Sequence, residues 1–231
     1  MIPPAIIECN PHFCVLDKPS GWTVQESDDS WGLLRWARAQ LGGEVFPVHR
    51  LDKPTTGLVL MARNAAANRA LSMQFQQRLI RKQYLAISDQ KPSKKQGSVI
   101  GDMVRSRRGQ WKLARSREHP AITRFTSVSL AASVRGYTLL PQTGKTHQLR
   151  VAMKSLSSPI IGDKRYGGSE AERLYLHAHR LAFDWQGRHY SFEALPQGHW
   201  FELWRELGLP DGLAEPLICE TDPENIPETD S

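Results

Sequence analysis

One segment narrows the fold more than any other. Leu58-Val59-Leu60-Met61-Ala62 is an unbroken apolar run of strand length, with no polar residue to turn toward water. A strand of that composition is stable only when both of its faces are covered, so it belongs in the middle of a sheet with layers packed on it. The residues that follow supply one such layer. Asn64 is placed as an N-cap, and Ala67, Leu71, Phe75 and Leu79 recur at every fourth residue, the core stripe of an amphipathic helix.

The rest of the chain reads as mixed strand and helix. Residues 13–16, 83–88, 125–130, 137–140, 174–183 and 189–194 carry strand patterns, and 45–48 is extended. Arg107-Arg108-Gly109-Gln110 and Trp185-Gln186-Gly187 are hairpin tips. Ser30 is placed to cap a helix through Leu33, Leu34, Ala37 and Leu41 that stops at Gly42-Gly43. Thr146 is placed to cap a short helix over 147–155, closed off by Pro159. Strands that follow one another directly, with helices interspersed irregularly, predict an α+β fold with a largely antiparallel mixed sheet and flanking helices. Residues 1–214 are expected to form one domain. From Glu215 onward there are three prolines, six acids and no basic side chain, the composition of a tail without fixed structure.

No apolar run approaches the ~20 residues of a membrane helix, and the N-terminus lacks the basic and apolar regions of a signal peptide. Three cysteines, at no metal-ligand spacing, fit a reducing compartment. The expectation is a cytoplasmic protein that needs no membrane, and a monomer.

Charge is unevenly spread. Residues 1–49 carry a net −3, 50–118 a net +12, 119–200 a net +5 and 201–231 a net −8. A strongly basic middle suits a polyanionic partner, of which nucleic acid is the commonest. Its side chains include Arg105, Arg107, Arg108, Lys112, Arg115 and Arg117, with Lys94 and Lys95.

There is no Gly-rich phosphate loop and no G-x-S-x-G elbow. His177 and His179, at i and i+2 on an expected strand, share a face. They fit either a metal pair lacking its third ligand or two hydrogen-bonded strand histidines. Asp52 lies in a tight segment between two strands, flanked by Arg50 and Lys53. Cations on either side favour a charged carboxylate, which can act as nucleophile or general base, or simply as a loop cap or ion-pair partner. Residues 143–150, T-G-K-T-H-Q-L-R, form a polar turn entering a helix, with backbone donors and two cations suited to a phosphate or carboxylate.

Together these segments resemble a known family. H-R-L-D-K-P-T-T-G-L-V-L-M-A-R at 49–63 is similar to the signature H-R-L-D-x-x-T-S-G of the RluA-type RNA pseudouridine synthases. In that family's order follow D-K-P-S-G-W-T-V upstream (17–24), R-K-Q-Y-L-A-I (81–87) and T-G-K-T-H-Q-L-R-V-A-M (143–153), and then G-D-K-R-Y-G-G and L-Y-L-H-A-H-R-L-A-F. The resemblance covers roughly residues 6 to 195. Thr56 stands for the usual Ser, Lys145 for the usual Arg and Ala152 for the usual His.

The resemblance implies a central catalytic cleft, isomerisation of uridine to pseudouridine in structured ribosomal or transfer RNA, and no cofactor or metal. Many members of that family carry an N-terminal RNA-binding domain; only about ten residues precede the first matching strand here, so no separate one is expected and the catalytic domain is expected to recognise RNA itself. Asp52 then corresponds to the nucleophile, acting on the ribose directly or through glycal formation. Arg150 corresponds to the arginine that pairs with it. Tyr84 corresponds to the aromatic that stacks on the target uracil and takes the proton from carbon 5, and Leu176 either to the apolar wall across the base or to plain core packing. Arg50, Lys145, His147 and the basic stretch Arg105, Arg107, Arg108, Lys112 and Arg115 are the expected RNA contacts. Two other readings compete: a metal-dependent hydrolase using His49, Asp52, His177 and His179, and a non-catalytic RNA-binding module.

Overall fold

A computed structural model of the chain describes residues 2–25 and 32–208, apart from the side chain of Arg108. Ser30 and the acidic segment 215–231 lie outside the described residues. In chain order the elements are β1 (Ala5–Cys9), β2 (Phe13–Lys18), α1 (Leu33–Leu41), β3 (Phe46–Pro47), β4 (Thr56–Ala62), α2 (Ala65–Gln76), β5 (Arg81–Ser88), β6 (Gln96–Gly101), β7 (Met103–Arg105) and β8 (Trp111–Leu113). They continue with β9 (Ala121–Ala131), β10 (Val134–Pro141), α3 (Gln148–Ser155), β11 (Leu176–Trp185), β12 (Arg188–Glu193) and α4 (His199–Glu206).

The apolar run is β4, and every residue of it is buried. Val59 and Met61 enter one apolar cluster, shared with Leu33 and Ala37 of α1, Met153 of α3 and Trp204 of α4. Leu58, Leu60 and Ala62 enter a second cluster with Ala67 and Leu71 of α2. Helices on both faces are therefore what allows this strand to do without a polar side. The sheet runs β1-β2-β4-β11-β5-β10-β9-β6, with β3 also on β4 and β12 on β11, while β7 and β8 form a separate hairpin. Among the described strands the pairings are antiparallel except that of β4 with β11. The expected α+β fold with a largely antiparallel mixed sheet is the one observed.

The parallel contact joins His177 to Thr56 and Ala178 to Gly57. It depends on a missing side chain. Gly57 has φ +105, and a Cβ there would stand 2.3 Å from the Ala178 carbonyl oxygen. Only glycine lets β11 lie this close beside the start of β4.

Helix ends depart from the sequence expectations in instructive ways. Asn64 caps α2 as expected, its side chain accepting the Ala67 N–H at 2.8 Å. The helix stops at Gln76, however, and Leu79, the last member of the stripe, is exposed. The N-cap of α1 is Gly32 and not Ser30. The first N–H groups are taken by tertiary partners, Leu33 bonding the Thr23 carbonyl at 2.8 Å and Leu34 the Val24 carbonyl at 3.1 Å. The N-cap of α3 is His147, in the left-handed conformation at φ 57, and not Thr146. β1, β6 and α4 had no counterpart in the sequence reading.

Two strand histidines end in one acceptor. Nε2 of His177 and Nδ1 of His179 lie 2.9 and 2.8 Å from the Ala194 carbonyl oxygen. A carbonyl only accepts, so His177 carries its proton on Nε2 and its Nδ1 accepts the Thr56 hydroxyl at 2.8 Å. Burial pulls the His177 imidazole down to about 3, so it stays neutral in the fold. The unfolded chain binds a proton near pH 6.5 that the folded chain refuses. Stability from this group is full above about 6.5 and is lost as the pH falls toward about 3, at up to ~1.4 kcal/mol per pH unit. Urea unfolding at pH 7.5, 6 and 5 should show the wild type losing more stability than His177→Gln over that interval.

Candidate active site

Asp52 sits in the loop that leads into β4, and that loop is bolted at both ends. Lys18, fully buried at the end of β2, donates through Nζ to the carbonyls of Pro19, Trp22 and Lys53 at 3.1, 2.9 and 3.1 Å. The Gly21 N–H also reaches the Lys53 carbonyl at 3.0 Å, and the Thr55 N–H returns to the Asp52 carbonyl at 3.0 Å. Burial pulls the Lys18 ammonium down to about 7, against the opposing pull of Asp52 and Asp17.

Arg150 fixes the carboxylate itself. Its Nη1 donates to Asp52 Oδ2 at 3.1 Å. Its other edge is held by Asp163, Nε to Oδ2 at 2.8 Å and Nη2 to Oδ1 at 2.7 Å, and its face lies 5.0 Å from the centre of the Tyr166 ring. Burial works against this cation, but the hydrogen bonds and charges of Asp163 and Asp52 outweigh it and hold the guanidinium above its ordinary value. Asp163 is 1% exposed and sits in a turn where a Cβ on Gly162 would stand 1.8 Å from the Arg173 carbonyl oxygen. The cations beside Asp52 in sequence, Arg50 and Lys53, are instead exposed. Its ion-pair partner comes from a helix 98 residues further on.

His147 completes this side. Its Nε2 is 3.8 Å from Asp52 Oδ2 and its Nδ1 is 2.8 Å from the Tyr166 hydroxyl. That hydroxyl already accepts the Trp111 N–H at 3.1 Å. When the hydroxyl gives its own proton to Nδ1, the imidazole proton lies on Nε2, facing Asp52; the opposite tautomer uses the hydroxyl's second lone pair. Burial draws His147 below its ordinary value, against the pull of Asp52. Among the described residues both contacts to Asp52 fall on Oδ2, which leaves Oδ1 for another group.

Asp52 opens into a cleft of about 600 Å³. The structure brings seven of the sequence-expected residues to it: Asp52, Tyr84, Arg150, Arg50, Leu176, Lys145 and His147. Tyr84 reaches it from β5 and Leu176 from the start of β11, both nearly buried. Burial first, then Asp52, pushes the Tyr84 phenol well above its ordinary value. Segment 143–150 is less open to a ligand than its sequence implied. Gln148 Oε1 accepts the Lys145 N–H at 3.0 Å and the Thr143 hydroxyl at 2.7 Å, and the Gln148 amide donates to the Ile122 carbonyl. Arg150 is committed to two carboxylates, which leaves Lys145 as the segment's exposed cation at the rim.

The basic stretch is elsewhere. Arg105, Arg107, Lys112 and Arg115 do not line this cleft, and the side chain of Arg108 is outside the described residues. Arg105 lies over the Trp111 ring at 5.6 Å. Lys112 borders a second cavity of about 550 Å³ with Lys154, Lys164 and Arg165. Tyr166 lines that cavity too, so the hairpin lies one residue behind His147. The four-residue hydrolase set does not assemble: His49 Nε2 accepts the Leu60 N–H at 2.8 Å, and both nitrogens of His177 are occupied. Among the described residues no group of three His, Cys, Asp or Glu side chains is placed to hold a metal. Asp163, Tyr166 and Lys18 were assigned no role from the sequence. The signal for Asp163 was there, an acidic residue between glycines in I-G-D-K-R-Y-G-G.

Comparison with known proteins identifies a family for the chain. The family model for RNA pseudouridylate synthases matches residues 12–155. A Haemophilus influenzae protein described as an uncharacterized RNA pseudouridine synthase is 48% identical over 187 residues, covering 80% of this chain and 84% of the relative. The Salmonella typhi tRNA pseudouridine synthase C is 34% identical, covering 89% and 92%. The Pasteurella multocida dual-specificity RNA pseudouridine synthase RluA is 34% identical, covering 77% and 85%. In fold, human RNA pseudouridylate synthase domain containing 4 superposes with a TM-score of 0.72 at 23% identity, over 88% of this chain and 92% of that one.

The carboxylate pair on Arg150 carries an energetic consequence. Asp163→Ala leaves a buried guanidinium with two donors unmet, which should cost about 3 kcal/mol of stability in urea unfolding.

Proposed function

The chain belongs to the RNA pseudouridylate synthase family and is an RNA pseudouridine synthase; on that premise we propose that Asp52 is its nucleophile and the cleft around it the uridine pocket. The carrying observation is the contact of Asp52 Oδ2 with Arg150 Nη1 at 3.1 Å at the floor of the cleft, with Oδ1 left over. The reaction breaks the bond from ribose to N1 of uracil, turns the base and rejoins it through C5. Such an isomerisation needs a directed anion at the ribose, a surface on which the detached base stays stacked, and a proton acceptor for C5. Arg150 directs the anion, as covalent catalysis requires. Tyr84 and Leu176 supply an aromatic and an apolar wall, and stacking of that kind tolerates the turning of the base.

The target must leave its stack to enter, at a cost of a few kcal/mol. Cations around the cleft and on the hairpin offset that cost through phosphate contacts: Arg50 and Lys145 at the rim, with Arg105, Arg107, Arg108, Lys112 and Arg115 behind. His147 approaches the same oxygen of Asp52 as Arg150, with Nε2 3.8 Å from Oδ2. We read the substrate as structured transfer or ribosomal RNA; the relatives' names, a tRNA synthase and a dual-specificity RNA synthase, support the transfer-RNA part of that reading. We read the enzyme as a cytoplasmic monomer whose single catalytic domain spans residues 1–214 and works without a metal or cofactor.

Asp52→Asn should abolish pseudouridine formation, mapped chemically in RNA from cells lacking the gene, while RNA binding persists. Turnover by that variant would remove Asp52 from the role. Tyr84→Phe keeps the stacking face and deletes a hydroxyl that rests protonated, so this group can take the C5 proton only by handing its own proton on in the same step. Lost turnover with intact binding assigns proton transfer to the hydroxyl, whereas wild-type turnover confines Tyr84 to stacking.

A further inference from the structure

We propose that Lys82 and Arg78 form a phosphate-binding subsite at the α2–β5 side of the cleft, holding a backbone phosphate next to the target nucleotide. The proposal rests on the synthase reading and adds to it a contact separate from the basic hairpin.

Lys82 lies two residues before Tyr84 on β5, so period-two alternation puts both on one face, and both line the cleft. It is half-buried. Among the described residues its ammonium has no ion-pair or hydrogen-bond partner; its contact is the face of Phe75, whose ring centre is 5.6 Å away. Phe75 is stacked in turn on His49 at 4.7 Å. Burial pulls Lys82 down to about 8, and no carboxylate opposes that pull. The other charged groups lining the cleft are the cations Arg50, Arg78, Lys145 and Arg150 and the carboxylates Asp52, committed to Arg150, and Glu118, which makes no ion pair with Lys82. A half-buried cation without an anion, in a cleft that receives a polyanion, is short of one ligand group.

Arg78 supplies an independent observation. It follows α2 in the left-handed conformation at φ 61. Its N–H bonds the Phe75 carbonyl at 3.2 Å, and the Leu79 N–H bonds the Gln74 carbonyl at 2.9 Å. This is the helix-terminating turn whose left-handed position glycine occupies without strain. Here an arginine occupies it, and its exposed side chain lines the cleft with no partner among the described residues. Strain at such a position is found where the side chain has a task.

The test uses RNA from cells lacking the gene, bound by Asp52→Asn enzyme so that turnover does not intervene. Adding Lys82→Met should lower the slope of log K against log salt by about one, the loss of one phosphate contact. Lys82→Arg should keep the slope. Arg78→Gly should also flatten it while raising the melting temperature by ~2–4 °C, because glycine relieves the left-handed strain. In the otherwise wild-type enzyme, Lys82→Met should reduce kcat/KM at least ~10-fold, with its melting temperature checked alongside. Unchanged slopes in Lys82→Met and Arg78→Gly, with wild-type enzyme forming pseudouridine, would overturn the subsite. A fall in melting temperature for Arg78→Gly would overturn the strain argument. Wild-type enzyme that forms no pseudouridine in any RNA would instead overturn the synthase reading on which the subsite rests.

Discussion

Arg150 is the cation on which the site is built. A guanidinium 7% exposed cannot stay charged without carboxylates at hand. Asp163 takes two of its donors and Asp52 a third. The arithmetic matters for chemistry. One cation and two carboxylates leave a net charge of minus one, and Asp163 is the buried member that neutralises the arginine. The negative charge that remains is at Asp52, facing the cleft. Its direction is inherited from α3 and from the turn around Gly162, where Asp163 is buried. A buried ion cluster of this kind is weak evidence for stability; here it sets the orientation of one oxygen.

The same constraint explains why residues so far apart in sequence must be where they are. β11 can run parallel to β4 only where Gly57 offers no Cβ, and that contact fixes Leu176 next to the loop carrying Asp52. Thr56, one residue earlier, donates its hydroxyl to His177 and accepts from Arg173 Nη2 at 2.6 Å. The end of the T-T-G segment therefore serves the sheet, while its beginning serves the cleft. Either Ser or Thr supplies the Thr56 hydroxyl, so the substitution at this position leaves the bond intact.

What could be read from the sequence follows the same physics. β4 was legible because burial on both faces leaves an unbroken apolar run, and α2 because a side-chain cap precedes a regular stripe. β1 and β6 were not: one is largely exposed and the other contains two glycines, so neither alternates cleanly. α4 buries only Phe201 and Trp204, too few positions to define a period. Caps at α1 and α3 were misplaced because tertiary carbonyls and a left-handed histidine do work that Ser30 and Thr146 were expected to do. Among site residues, motif order located Asp52, Tyr84, Arg150 and Leu176. It did not locate Asp163, whose role exists only through a contact 13 residues back to Arg150, across the end of α3 and the turns after it. Sequence neighbours also misled: Arg50 and Lys53 flank Asp52, yet neither is its ion-pair partner.

The basic middle of the chain is not one surface. Part of its net +12 lies on the hairpin, which adjoins the site through Tyr166, part on the cleft lining at Arg50, Arg78 and Lys82, and part at neither, as with Arg63 on the Leu41 and Gly42 carbonyls. These cations differ in what holds them. Arg150, from the next segment, is saturated by carboxylates and so is fixed before any substrate arrives. Lys82 and Arg78 have aromatic or solvent neighbours and no anion, so their electrostatic energy is realised only when phosphate enters. Saturated cations orient a site, and unsaturated ones bind to it. An enzyme that must extract a stacked base needs both, because pre-paired charge gives no binding energy and unpaired charge gives no fixed geometry.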